Sequence, residues 1–445
     1  MTINGLHLPA PLTTMSDGTI KQLNPFSGTE VWSVPGRGNR PLSKPKDNPA
    51  PLTHSGPEDY CAFCEARPLA TPPEKSRITA RGDILYGVIP EALDHSTAEF
   101  RRVPNLFEIV SYDYWRRNYG YKPDIETRKR MHGYLTAEGG LEHVDAIVNT
   151  RMKAAGRNPE ELTEEEREHF REAYFSGSHD VLVARRHFVD GATHDDQLAS
   201  SGTLSVAEHR LFIRHAVNSM FDLYERNPYV RYVSVFQNWL SAAGASFDHL
   251  HKQLVGIDSR GVHAEEEIQR LRGNLNMYNE LGVDFAAQNN LIIAENDHAV
   301  MVVGVGHRFP TVSVYSTSAT CRPWEQSYEE IDAMSDLIHA GHAATGPDVA
   351  CNEEWHHQAI DLDLPMPWRI NIKWRVSTLA GFEGGTKIYV NTLTPFDTRD
   401  RVVSALYRLR DEGVIDPSIR IATECSLAPN RLLYNPILSS RTTRL

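Results

Sequence analysis

The sequence predicts an α+β fold of two similar halves, each an antiparallel sheet with a helix packed on it, plus a helical insertion in the first half. Three observations predict it. A strand-like run, a capped amphipathic helix and a second strand region occur in that order twice, as an internal duplication would leave them. The stretch from about 111 to 175 is charged and helical, unlike either copy. At 445 residues the chain is long enough for two or three folding units.

Taken in order, residues 1–60 hold a strand, "TEVWSVPG", a basic turn, "RGNRP", and a proline-rich connector that cannot keep regular structure for long. Within the insertion, "LTEEEREHFREAYF" opens on a Thr-x-x-Glu start signal at Thr163 and Glu166. It reads as a solvated helical excursion that covers the pocket or extends a dimer contact. The first copy is "HDVLVARRHF", then "SVAEHRLFIRHAVNSMFDLYE", then "YVRYVSVFQNWL". The second is "AVMVVGVGHRF", then "SYEEIDAMSDLIHAGHA", then "WRINIKWRV". Both helices start with a capping box, Ser205 with Glu208 and Ser327 with Glu330. Apolar residues follow at helical spacing, Phe212, Ala216 and Met220 in one and Ile331, Met334 and Ile338 in the other. A linking helix with Ile268, Leu271, Leu275 and Tyr278 on one stripe stops at Gly282, and a last helix over 398–412 stops at Gly413. The halves are therefore 1–257, with its insertion, and 258–445.

The composition excludes several classes. A net charge of −12 argues against a dedicated binder of nucleic acid or of membrane surfaces. No apolar run approaches the ~20 residues of a spanning helix, and the first residues lack the basic start and apolar stretch of a signal peptide. Five cysteines in so long a chain are no disulfide scaffold, so a reducing, cytoplasmic setting is expected.

Chemistry concentrates in four places. "GASFDHLHKQLVG" reads as a strand with His249, His251 and Gln253 on one face, because alternate side chains share a face. The turn before it offers Gly244 and Ser246 as backbone and hydroxyl donors, with Asn238 facing the same region; it also fits an ordinary tight turn. Cys61 and Cys64 stand in Cys-x-x-Cys spacing, which suits half a zinc site, a redox pair or two buried thiols. With no second such pair, a zinc site would recruit histidines, His187 and His249 being candidates. Arg37 and Arg40 sit on a glycine-containing turn, either a phosphate-binding fork or a solvated basic loop. An imidazole with one nitrogen held by an acceptor can attack phosphorus and split one displacement into two.

Read together, these residues resemble the galactose-1-phosphate uridylyltransferase branch of the histidine-triad superfamily. Asn238, Gly244, Ser246, His249, His251 and Gln253 match its Asn and Gly-x-Ser-x-x-His-x-His-x-Gln signature without a gap. "NPFSGTEVWSVPGRGNRP", "DYCAFC" and "RRVPNLF" are similar to its opening, its zinc-binding pair and its nucleotide-contacting stretch. "AGFEGGTKIYVN" resembles a segment of related sugar-nucleotide phosphorylases. The resemblance implies two histidine-triad-like half-domains and a nucleophilic His251, with Gln253 and Ser246 holding the phosphoryl group. Arg37 and Arg40 would meet phosphates, Asn105 the base or ribose, and Glu383 the sugar. Cys61, Cys64, His187 and His249 would bind a structural Zn2+, with His194 or His179 as replacements for His187, whose spacing from Gly177 is one residue short. There are departures. Lys252 fills a variable position and is expected on the opposite strand face. Asn371 and Lys373 stand where uridylyltransferases with a second metal carry His-x-His, while Glu267 and His356 remain; Lys373 is then expected to neutralise Glu267 without a second metal.

The resulting expectation is a cytoplasmic, homodimeric nucleotidyltransferase of carbohydrate metabolism. It would carry a nucleoside monophosphate from a nucleotide sugar or similar donor to a sugar phosphate or phosphate through a nucleotidyl-histidine. The alternatives are a nucleotide-sugar or dinucleotide phosphorylase or hydrolase, and a nucleotide-binding protein that does not catalyse.

Overall fold

Residues 2–3, 6–7, 10–36, 42–43, 46, 48–52, 59–377 and 380–437 are described by a computed structural model. The N-terminal strands are β1 (Thr2–Ile3), β2 (Leu6–His7), β3 (Leu12–Thr14), β4 (Ile20–Leu23) and β5 (Glu30–Ser33). The rest of the first half contributes β6 (Ser76–Thr79), β7 (Ile84–Tyr86), β8 (Ala98–Pro104), β9 (His179–Ala184), β10 (Tyr232–Trp239) and β11 (His251–Ile257). Its helices are α1 (Tyr112–Tyr119), α2 (Ile125–Thr136), α3 (Gly140–Ala154) and α4 (Glu164–Ser176) of the insertion, and α5 (Val206–Arg226). The second half opens with α6 (Val262–Gly273) and α7 (Asp284–Gln288), then β12 (Ile292–Glu295), β13 (Ala299–Gly304) and β14 (Thr311–Ser316). It continues with α8 (Tyr328–Thr345), β15 (Cys351–His356), β16 (Arg369–Trp374), α9 (Gly381–Thr386), β17 (Ile388–Asn391), α10 (Pro395–Asp411) and β18 (Arg420–Ile421).

Twelve of these strands form one sheet in the order β18-β12-β13-β14-β16-β15-β10-β11-β9-β8-β6-β7. Every neighbouring pair in it is antiparallel. The halves meet where β10 pairs with β15. Outward from that seam the first half runs β10-β11-β9-β8 and the second β15-β16-β14-β13, one order used twice. This supports two halves of one design, with a correction to their matching. The strand that precedes α8 is β14, which the periodicity did not single out, and β15 rather than β16 takes the place of β10.

β10 shows why one face of the sheet is dry. Val233, Val235 and Trp239 are buried, while Tyr232, Ser234, Phe236 and Asn238 between them are half-buried on the other face. Helices α5 and α8 cover the dry face with Phe212, Met220, Met334 and Ile338, all fully buried. Each such side chain is worth about 1.5–3 kcal/mol of burial. The two helices are joined by Arg210 to Asp336 and by Arg214 to Asp332. Both start with the capping boxes expected.

The insertion is helical as predicted, but it is more than a solvated excursion. Tyr134, Val144, Ile147, Val148 and Met152 give it a small core of its own. The N-terminal strands behave less obviously: β5 pairs in parallel with β17, from the far end of the chain, and the Asn24 amide donates to the carbonyl of Val305 at 2.9 Å. Among the described residues no helix is long and apolar enough to cross a membrane.

Candidate active site and metal centre

Two loops and one strand end build the candidate metal centre. Cys61 and Cys64 come from the turn before β6, His187 from the loop after β9, and His249 from the residues just ahead of β11. The four ligand atoms all lie within 4.8 Å of one another. The two Sγ atoms are 3.8 Å apart, Cys61 Sγ is 3.5 Å from His249 Nδ1, and Cys64 Sγ is 3.4 Å from His187 Nδ1. A tetrahedral ion with bonds of about 2.0–2.3 Å separates its ligands by roughly 3.3–3.8 Å; these three spacings match, and Cys64 Sγ to His249 Nδ1, at 3.9 Å, is close. The His249 Nε2–H donates to the carbonyl of Ala184 at 2.7 Å, which turns the Nδ1 lone pair towards the sulfurs. Backbone N–H groups of Tyr60 and Cys61 donate to Cys64 Sγ at 3.3 Å. The Cys64 thiol is held well below its ordinary range, first by its hydrogen bond with Cys61 and, against the penalty of burial, by both imidazoles. The ring of His187 stacks on Phe188 at 4.3 Å. The two suggested replacements are elsewhere: His194 is exposed and bonded to Thr193, and His179 lies on β9.

The strand around the histidines is shorter than predicted. It begins at His251, and 244–250 are loop and turn. His249 therefore faces the sulfurs by a loop conformation and not by strand alternation. His251 is only 6% exposed. Its Nδ1–H donates to the carbonyl of His249 at 2.7 Å, leaving the lone pair on Nε2. Burial holds the ring below its ordinary pKa, so it is neutral at pH 7. The ring of Phe63, between the two cysteines, lies 6.0 Å from that of His249 and 5.5 Å from that of His251. The metal loop is thus packed on the candidate nucleophile.

Gln253 points to the same sheet face, with a partner that the sequence reading missed. Its Oε1 is 3.0 Å from His179 Nε2 and 3.4 Å from Asn105 Nδ2. His179 Nδ1 accepts from the Ile109 N–H at 3.0 Å, which makes Nε2–H the donor to Gln253. With Oε1 engaged, the amide N–H groups of Gln253 are the end presented to a ligand. Asn105 is folded into this network, its Oδ1 accepting from Phe107 N–H at 2.8 Å.

The other predicted residues are placed as follows. Gly244 has φ +89°, a conformation that favours glycine, and Ser246 is exposed on the same loop. Asn238 Oδ1 accepts from Asn352 Nδ2 at 2.7 Å across the seam. Glu383 caps its own short helix by accepting from Ala380 N–H at 3.1 Å. Among the described residues it bonds to none of the groups around His251. Arg37 and Arg40 lie outside the described residues. Lys252 points to the opposite face, as expected, where it is fully buried against Glu353 at 2.7 Å.

In the second half one expectation fails. Glu267 is neutralised by Arg369, at 2.9 Å, and hydrogen-bonded by the Tyr278 hydroxyl at 2.7 Å. Lys373 pairs instead with Glu354. Arg369, Asn371 and Lys373 share one face of β16, and it is Arg369, at the far end, that lies under Glu267. A cavity of about 760 Å3 opens on this face, lined by β10, β15, β16 and the N-terminal segment.

A family model described as a domain of unknown function, DUF4921, matches residues 15–434. An ADP-glucose phosphorylase of Arabidopsis thaliana is 23% identical over 269 residues, covering 56% of this chain and 71% of that protein. The crystal structure of an ADP-glucose phosphorylase from Arabidopsis thaliana with bound ADP-glucose shares the fold, with TM-score 0.55 and 18% identity over 86% of this chain and 98% of that one. A galt-like protein from Arabidopsis thaliana does so with TM-score 0.54 and 16% identity at the same coverage. The chain belongs to the DUF4921 family, and it shares the fold of these two Arabidopsis thaliana proteins.

Proposed function

We propose that this chain is an enzyme that transfers a nucleoside monophosphate from a nucleotide sugar to a phosphorylated acceptor by double displacement at His251. The observation that carries the reading is the His251 ring. Its Nδ1–H is held by the His249 carbonyl, its Nε2 keeps the lone pair, and the free amide end of Gln253 stands two residues on. Nε2 attacks the α-phosphorus, an N–P bond forms, and the bond to the leaving phosphate oxygen breaks with its electron pair. The positive charge that develops on the ring is stabilised through Nδ1–H. Gln253 donates to the phosphoryl oxygens without adding charge, helped by Ser246 and the backbone at Gly244. An acceptor oxygen then attacks, the P–N bond breaks, and the neutral ring is restored.

Zn2+ is the ion that best suits two thiolates and two imidazoles; when bound, it fixes His249 in place. The same residue supplies the carbonyl that orients His251, so the Cys–His cluster positions the nucleophile without taking part in the transfer. Of the two acceptors, phosphate is favoured by the activity named for the ADP-glucose phosphorylase relative. Arg37 and Arg40 would meet the phosphates, and Glu383 of the neighbouring chain the sugar, in a cytoplasmic homodimer. ADP-glucose labelled at the α-phosphate tests the core of this. Acid-labile label on the protein, absent from His251→Ala, is expected; undiminished phosphorolysis by His251→Ala would overturn it.

A further inference from the structure

The cavity beside β10 holds charge that the transfer at His251 does not use. Three of its cations are matched. Arg260 pairs with Glu265 and Asp361, Arg369 with Glu267, and Lys373 with Glu354. Arg308 and Arg375 also line it, and among the described residues neither is paired with a carboxylate. Both guanidinium carbons lie 4.8 Å from the centroid of the Phe309 ring, and that of Arg308 also lies 5.5 Å from Tyr389. Two cations thus share one aromatic ring, and Glu354, the carboxylate whose charge reaches Arg375, is already paired with Lys373. Burial, and then the charge of Arg308, pull Arg375 below its ordinary range. An anion between them would relieve that repulsion and gain two charge-assisted forks.

The position also has a bearing on the reaction. Arg375 Nη1 donates to Asn352 Oδ1 at 2.7 Å, and Asn352 Nδ2 donates to Asn238 Oδ1 at 2.7 Å and to the Ala243 carbonyl at 2.9 Å. Two amides therefore connect the arginine to the loop ahead of His251. Asn352 stands two strand spacings, about 10 Å, from β11. Amide and aromatic groups line the wall between, among them Asn238, Phe236 and Tyr232.

We propose that Arg308 and Arg375 form an anion subsite that takes a phosphate group, free or carried on a sugar, within this cavity. Its use by the acceptor rests on the function proposed above; the binding itself does not. Isothermal titration of the full chain with inorganic phosphate and with glucose 1-phosphate, glucose serving as the uncharged control, tests it. The Arg308→Gln/Arg375→Gln variant should bind at least tenfold more weakly, Arg308→Lys/Arg375→Lys within a few fold of the parent, and His251→Ala like the parent. Melting curves without ligand check that each variant is folded. Equal binding of both probes assigns the site to free phosphate; tighter binding of glucose 1-phosphate, with glucose silent, assigns it to a sugar phosphate. Binding by the double glutamine variant within twofold of the parent, loss of binding in His251→Ala, or no binding by the parent at millimolar phosphate would overturn it. A chain that shows this pattern but never takes up nucleotidyl label keeps the subsite and loses the double-displacement reading.

Discussion

β11 and β16 occupy corresponding places on either side of the β10–β15 seam, yet they present opposite chemistry on the same sheet face. β11 and the residue before its neighbour offer neutral imidazoles, one aimed at two sulfurs and one with a free nitrogen. β16 offers Arg369, Asn371 and Lys373, two of them locked to carboxylates. A buried carboxylate such as Glu267 must be matched by an ion or a side-chain cation, because leaving it alone costs several kcal/mol. In the second half Arg369 supplies that cation. The first half leaves its lone pairs facing inward, an arrangement that makes sense where an ion binds and a phosphorus atom is attacked. One sheet face thus carries two chemistries, and strand parity decides neither; the residue types do.

The sharpest break of that comparison is His251→Ala. Turnover should fall by about 10³-fold or more, some 4 kcal/mol of barrier, while the melting temperature moves by only a few degrees. A steady-state assay with ADP-glucose and phosphate checks it. Next in size is a pair of variants. Cys64→Ser should lose bound zinc, measured by elemental analysis, and melt well below the parent because metal binding is coupled to folding. Arg369→Met should destabilise by about 3–5 kcal/mol, by stranding Glu267, with zinc content unchanged. Equal zinc loss in both would erase the distinction between the halves.

How much of this was legible follows from sequence distance. The spacing of His249, His251 and Gln253 is local, and so is Cys61 with Cys64; such signals survive in the linear chain. The insertion was visible because helical periodicity and the Thr163 cap are local too. His179 carries no local signal of its place beside Gln253, because that is fixed by strand register: Val255 pairs with His179, and this brings its ring to Gln253, 74 residues away. The partner of Glu267 is hidden from the sequence for a related reason. Parity puts Arg369, Asn371 and Lys373 on one face, but which of them lies beneath α6 depends on how that helix crosses the sheet. β14, in "TVSVYS", alternates Val312 and Val314 with polar residues, but its apolar signal is weaker than that of the continuous run in β13, which the sequence reading follows instead. The attachment of β5 to β17 joins segments more than 350 residues apart, beyond any local pattern.

His179→Ala sharpens the comparison within the first half. Without it the Gln253 amide loses the donor that fixes its rotamer, so kcat should fall about 10–100-fold, below the 10²–10³-fold typical of removing such a donor outright. KM should barely move, and the melting temperature should stay near that of the parent. A rise in KM with kcat unchanged would make His179 a binding residue instead.

The smallest effect concerns the buried link between the faces. Lys252, one residue past His251, meets Glu353 on β15, and His342 Nε2 bonds the same carboxylate at 2.7 Å. Burial works to raise the Glu353 pKa, but the Lys252 charge and the His342 hydrogen bond outweigh it and hold it well below the usual carboxylate range. A depressed carboxylate contributes stability above its unfolded pKa, about 4.3, and loses it as pH falls towards the folded value. Stability of the parent should therefore drop on acidification below about pH 4–5, and Lys252→Met/Glu353→Gln should flatten that dependence. Urea midpoints at pH 7 and pH 4 measure it. The double variant separates the contributions, because a single change would strand one buried charge and report the cost of that instead. If the slope between the two pH values is unaltered, other carboxylates carry the acid sensitivity, and the pair serves only to hold β11 against β15.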